Sequence, residues 1–344
     1  MIWLLKFQER KQSFKNIKQK DSSKRSKAQN HIEFFLLILF FILIREVSSG
    51  PNVRKENSNF SFNSHLNEIT IKIKDKGNQY IVSEKFYLCP DKIYLNENPD
   101  LINPDENNCR IIYIPLESYE TNTIKLIWDN KLITLHSLFE NLTNLVEADL
   151  SNLDSSSVAH MTQIFLNCVS LTSINLANLN TSLVEDMHMS FCQCNSLAEL
   201  DLSSFDTSKV KTMYYMFQGC KNLKTLNLAN FDTSQVETME AMFNDLDLLE
   251  TLDISNFDTS KVNNMNNMFF HCEKLKILDL SHFNTSNVLH MGQMFRDCKS
   301  LISLDVSNFD TSKVTIMGFM FFNCEQLPVL NLSSFRTPNV EDMN

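Results

Sequence analysis

The side chains able to do chemistry fall in rows. Cys168, Cys194, Cys220, Cys272, Cys298 and Cys324 are separated by multiples of 26 residues. Thiols in register could stack metal ions or pair as disulfides. However, the same slot holds Leu142 and Leu246, so it reads as a buried apolar position where free Cys acts as a small hydrophobe. His188, Cys192 and Cys194 are ligand-type residues, but their spacing matches no zinc motif. A second row is Asp149, Asn175, Asp201, Asn227, Asp253, Asp279, Asp305 and Asn331. It reads either as a solvated sheet face or as a polar binding strip. In the second case Ca2+ could bridge neighbouring carboxylates about 4.8 Å apart, and no other cofactor is implied. Outside the rows, Cys89 and Cys109 suggest a disulfide.

Motifs that serve phosphate or acyl chemistry are missing. The only glycines are Gly50, Gly77, Gly219, Gly292 and Gly318, too scattered for a Walker loop or a G-x-G-x-x-G turn. There is no G-x-S-x-G, H-E-x-x-H or paired C-x-x-C. Catalysis needs irregular, pre-organised side chains, and regular rows do not supply them, so the chain reads as a non-enzyme.

What positions these residues is a repeat. A Leu-type anchor recurs at Leu150, Leu176, Leu202, Leu228, Ile254, Leu280, Val306 and Leu332. Val follows eight residues later and Met three beyond that, without insertion or deletion. A degenerate copy begins at Ile124 and carries Leu132, Leu135, Leu138, Phe139, Leu142 and Leu145. Within a unit, Leu200-Asp-Leu202 alternates as a short strand. Asp206-Thr-Ser offers capping oxygens. Val210, Met213, Met216, Phe217 and Cys220 then fall at offsets 0, 3, 6, 7 and 10, one face of a short helix. One unit buries too little to offset its ordering entropy, so neighbours must stack. The expected fold is α/β: a parallel solenoid of strand–turn–helix units over 121–344, its last unit incomplete.

Residues 1–49 carry a net charge of +6 and the remainder −16. An acidic body argues against a nucleic-acid partner. Phe34–Ile44 is an unbroken apolar run of about 16 Å as a helix, against roughly 30 Å of hydrocarbon. With the basic stretch before it and Val47-Ser-Ser after it, it reads as a cleaved signal peptide, an uncleaved anchor or a buried soluble helix. The first two place the rest of the chain outside the cell or on its surface. Residues 50–120 read as a linker followed by a small β cap. Ile69, Ile71 and Ile73 pair there with Tyr80-Ile-Val as a hairpin, and Ile111–Ile114 forms another strand. N-x-[ST] sequons at Asn59, Asn141, Asn180, Asn284 and Asn331 could carry glycan, the last three being hidden if the units stack tightly.

The unit L-x-L-S-x-F-D-T-S-x-V-x-x-M-x-x-M-F-x-x-C-x-x-L resembles the BspA-like leucine-rich-repeat surface proteins, also met as a mycoplasma-type surface repeat. Residues 121–344 carry the resemblance, and the Asn- and Lys-rich region near Asn67 looks closer to the protist branch. Ordinary leucine-rich repeats place an Asn ladder where this chain has Phe205, Phe231, Phe257, Phe283, Phe309 and Phe335, so the Asp-Thr-Ser turn must replace its backbone bonding. The resemblance implies a secreted or membrane-anchored surface protein whose array binds protein or glycan, an extracellular macromolecule, in adhesion. An alternative is a coat or wall component that assembles through the ends of the array.

Overall fold

Seven aromatic rings set the rise of the array. Phe139, Phe165, Phe191, Phe217, Phe243, Phe269 and Phe295 are fully buried, and Phe321 continues the row. Successive rings stack with centroids 5.5 to 5.9 Å apart and planes within 5° to 22° of each other. Each 26-residue unit therefore lies directly on the next. The computed structural model describes residues 67–75, 77–96, 98, 113–116 and 121–341. All belong to one compact unit, Asn63–Asn344. The run Phe34–Ile44 and its basic flank, Asn59 and Cys109 lie outside the described residues.

The expected helix is corrected. Val210, Met213, Met216, Phe217 and Cys220 are all buried, but among the described residues there is no α-helix, and these segments are successive turns. The N–H groups of Met213, Tyr215, Phe217 and Gly219 donate to the carbonyls of Thr238, Glu240, Met242 and Asn244 in the next unit, at 3.3, 2.8, 3.1 and 2.9 Å. Those of Met216, Gln218 and Cys220 turn back to Met213, Tyr215 and Phe217. An α-helix would send every N–H four residues back along its own chain. The reason is spacing: packed helices need about 8–10 Å between axes, and the rungs here are under 6 Å apart. Two left-handed residues per unit bend the chain instead, such as Gln163 and Asn167, Tyr215 and Gly219, or Asn267 and His271. At Gly219 (φ 74°) a Cβ would come within 2.5 Å of the Gln193 amide nitrogen, so a larger residue there would have to displace the end of the Gln193 side chain. The architecture is thus built from strands and turns, not from strand–turn–helix units.

Eleven strands are described: β1 (Asn67–Ile73), β2 (Gly77–Tyr80), β3 (Lys92–Leu95), β4 (Tyr113–Leu116), β5 (Asn122–Trp128), β6 (Leu145–Asp149), β7 (Ser173–Asn175), β8 (Glu199–Asp201), β9 (Thr225–Asn227), β10 (Ile277–Leu278) and β11 (Ser303–Leu304). The repeat strands pair in parallel, one period apart, as in Leu200↔Leu226 and Leu278↔Leu304. Parallel bridges such as Thr212↔Thr238 run along a second line of the stack.

The expected β1–β2 hairpin is also corrected. The first sheet runs β3-β5-β1-β6-β7, so β1 lies between β5 and β6, antiparallel to both, while β2 pairs with β4. Ile69, Ile71 and Ile73 are fully buried there, beside Ile124 and Leu126 of β5 and Ala148 of β6. A two-stranded hairpin would have left that isoleucine face in water.

A threonine column ties successive units together. Thr207 Oγ1 donates to the Asp232 carbonyl at 2.9 Å and accepts from the Asp232 N–H at 2.8 Å. Thr181, Thr259, Thr285 and Thr311 do the same one unit on. The Asp-Thr-Ser segment caps a turn and ties two units together, rather than starting a helix.

Candidate functional site

The outward row of carboxylates and amides projects from the strands. Asn175, Asp201, Asn227, Asp253, Asp279, Asp305 and Asn331 are exposed, and Asp149 is half-buried. Each spends a side-chain oxygen on its own turn. Asp201, Asp279 and Asp305 accept the N–H of Ser203, Ser281 and Ser307 at 2.9 Å, and Asp253 accepts both N–H and hydroxyl of Ser255. Asp149 does likewise with Ser151; Asn175, Asn227 and Asn331 accept from Ala177, Ala229 and Ser333. These bonds favour the charged form, holding Asp201, Asp253, Asp279 and Asp305 below the usual carboxylate range. Burial pushes Asp149 upward, but its Ser151 bonds outweigh that. The row is an orientated line of ionised carboxylates interspersed with neutral amides at Asn175, Asn227 and Asn331.

The other expected groups disperse. His188 meets Asp186 at 2.8 Å and stacks on Tyr214, Cys192 faces Gln218, and Cys194 points to the Phe165 carbonyl, so the three converge on nothing. Every cysteine of the main row donates its thiol to the Phe carbonyl of the preceding unit, from Cys168 to Phe139 at 3.0 Å through Cys324 to Phe295 at 3.0 Å. Burial pushes the thiols of Cys192 and Cys272 up to about 12 and that of Cys324 to about 11. Cys89 is disulfide-bonded, while its expected partner Cys109 lies outside the described residues. Asn180, Asn284 and Asn331 are exposed rather than hidden, with their side-chain oxygens in local turns; Asn141 is exposed and accepts from Asn167.

One cluster breaks the regularity. Asp245 and His271 occupy the same left-handed slot in successive units, with φ 57° and 59°. His271 Nδ1 lies 3.1 Å from Asp245 Oδ1 and 3.4 Å from Asp247 Oδ1, and its Nε2 lies 3.2 Å from Glu273 Oε1. One ligand atom each from Asp245, Asp247 and His271 falls within 4.8 Å of the others. Burial raises the Asp245 carboxyl against the pull of Lys221 and His271.

A family model described as "Mycoplasma protein of unknown function, DUF285" matches residues 133–251 and 247–344, most of the stacked units. The chain belongs to that family. No curated protein and no solved structure matches it. In this DUF285 chain the matched residues carry the Phe, Thr and Cys columns and the outward row alike. Composition and spacing did not single out Asp245, Asp247 and His271. The usable signal was the period itself: Asp245 and His271 are 26 residues apart, hence on adjacent rungs.

Proposed function

We propose that the chain is an exported, BspA-like surface protein whose stacked units bind a basic protein surface through the outward acidic row. The observation that carries this reading is the row from Asn175 to Asn331, exposed on consecutive units and with its carboxylates held ionised by their own turns. A ligand meeting this row finds side chains already orientated, so little ordering entropy is lost on binding. Fixed charge of one sign also selects partners of the other sign and speeds encounter. The apolar run Phe34–Ile44 supports export, through a cleaved signal or an anchor that would hold the chain to the membrane. No catalytic step enters this reading.

The test is capture of surface and matrix proteins by the full chain, with and without the substitutions Asp201→Asn, Asp253→Asn, Asp279→Asn and Asp305→Asn combined. Asn occupies this slot in other units and keeps the turn-forming oxygen, so the variant folds. Capture that fades with added salt and is lost in the variant supports the reading. Capture that is indifferent to both, or no capture at all, overturns it. Labelling of intact cells with an antibody to the stacked units tests the location separately.

A further inference from the structure

We propose that Asp245, Asp247 and His271 form a site for one divalent transition-metal ion of the Zn2+ kind, tying two successive units together. The three ligand atoms converge within 4.8 Å. Two of them, Asp247 Oδ1 and His271 Nδ1, are buried atoms without a hydrogen-bond partner.

The far side of the imidazole explains why. His271 Nε2 lies 3.2 Å from Glu273 Oε1, and Lys299 fixes that carboxylate at 2.5 Å. Glu273 therefore occupies the Nε2 side of the ring and Nδ1 is turned to the two Asp side chains, and a carboxylate on the far ring nitrogen is the arrangement that orients metal-binding histidines. Nδ1 faces two carboxylate oxygens, one each from Asp245 and Asp247. With a neutral ring, three acceptor atoms meeting in a half-buried place repel one another unless a cation lies between them.

The two separations from the imidazole fit such an ion. Two ligands about 2.05 Å from a metal at a tetrahedral angle lie roughly 3.3 Å apart, against 3.1 and 3.4 Å observed. The nearest fixed positive charge on Asp247 is Lys221 Nζ, 3.9 Å from its other oxygen, so the converging face is left to the ion. An imidazole with two carboxylates suits zinc-like ions and disfavours Ca2+, which prefers oxygen alone. The three side chains remain 24% to 31% exposed, which leaves a fourth coordination position for water.

The site occurs once in the described stack. The slot of Asp245 and His271 elsewhere holds Asn141, Asn167, Gln193, Gly219, Asp297 and Asn323. Those asparagines provide clean variants, since His271→Asn and Asp245→Asn each install a residue the slot already accepts at positive φ.

The experiment is calorimetric titration of tag-free, chelator-stripped full chain with ZnCl2, alongside CaCl2, with histidine NMR signals followed in parallel. The expected result is one Zn2+ per chain, a shift of one imidazole's signals, and no response to Ca2+. Binding is lost in His271→Asn and Asp245→Asn and weakened about 10–100-fold in Glu273→Gln. Unaltered circular dichroism of the variants establishes that they fold. Absence of zinc binding by the unaltered chain overturns the proposal, leaving the cluster as an ion pair around a protonated imidazole. Equal binding by folded His271→Asn also overturns it, because the ion would then sit elsewhere.

Discussion

Truncating Phe217 to alanine removes the ring at the middle of the aromatic column. Phe217 is fully buried, with Phe191 and Phe243 each 5.9 Å away and nearly parallel. Losing a fully enclosed Phe side chain costs about 3–5 kcal/mol, including the cavity left behind. Two lost ring pairs at roughly 0.5–1.5 kcal/mol each account for part of that. The cost must also depend on position. Phe335 is only half-buried and meets Phe309 and Phe321 at 6.5 Å, so Phe335→Ala should cost about 1 kcal/mol, a fraction of a full burial. Equilibrium urea unfolding measures both. Because neighbouring units stabilise each other, Phe217→Ala should also broaden the transition as the two halves uncouple. A cost below about 1 kcal/mol at Phe217, or equal costs at both positions, would show that the ring is not enclosed from both sides.

Thr207→Val, which keeps the shape but removes both bonds to Asp232, should lower stability by about 1–3 kcal/mol in urea titration, two hydrogen bonds of the buried Thr207 side chain at about 0.5–1.5 kcal/mol each. Acid should destabilise the fold. Asp201, Asp206, Asp253, Asp258, Asp279, Asp305 and Asp310 have folded-state values below the usual one, and Asp154, bonded by Lys131 and Ser156, is held down to about 2. A depressed carboxylate contributes its full stabilisation above its unfolded value near 4 and loses it as pH falls through the folded one. Melting temperature should therefore fall between about pH 4 and pH 2 and be little altered just above that window. A thiol reagent at mildly alkaline pH should modify half-exposed Cys324 first and leave Cys168, Cys194, Cys220, Cys272 and Cys298 untouched until unfolding, as mass spectrometry of peptides would show.

Burial was legible in the sequence; backbone path was not. The 26-residue period named Val210, Met213, Phe217 and Cys220 as inward residues, and they are buried. Their offsets also fit a helix face, because a turn stack that points every third or fourth side chain inward leaves the same imprint. Only the 5.5 to 5.9 Å rise separates the two, and rise is a property of neighbouring units, not of one. The alternation of Ile69, Ile71 and Ile73 marked a strand correctly, yet its partners β5 and β6 follow it by dozens of residues, and no local signal names them. The outward row was readable as exposed; its turn bonds to the Ser two residues on were not read. The convergence of Asp245, Asp247 and His271 depended on two left-handed backbone residues that an assumed helix would have lacked.

The stack itself is tested most directly by through-space NMR contacts in a chain with selectively labelled Phe and backbone amides. Rings of Phe191, Phe217 and Phe243 should contact one another, and the Phe217 amide should lie close to Met242. Helical contacts confined within each unit, with no ring-to-ring signal one period apart, would contradict the account.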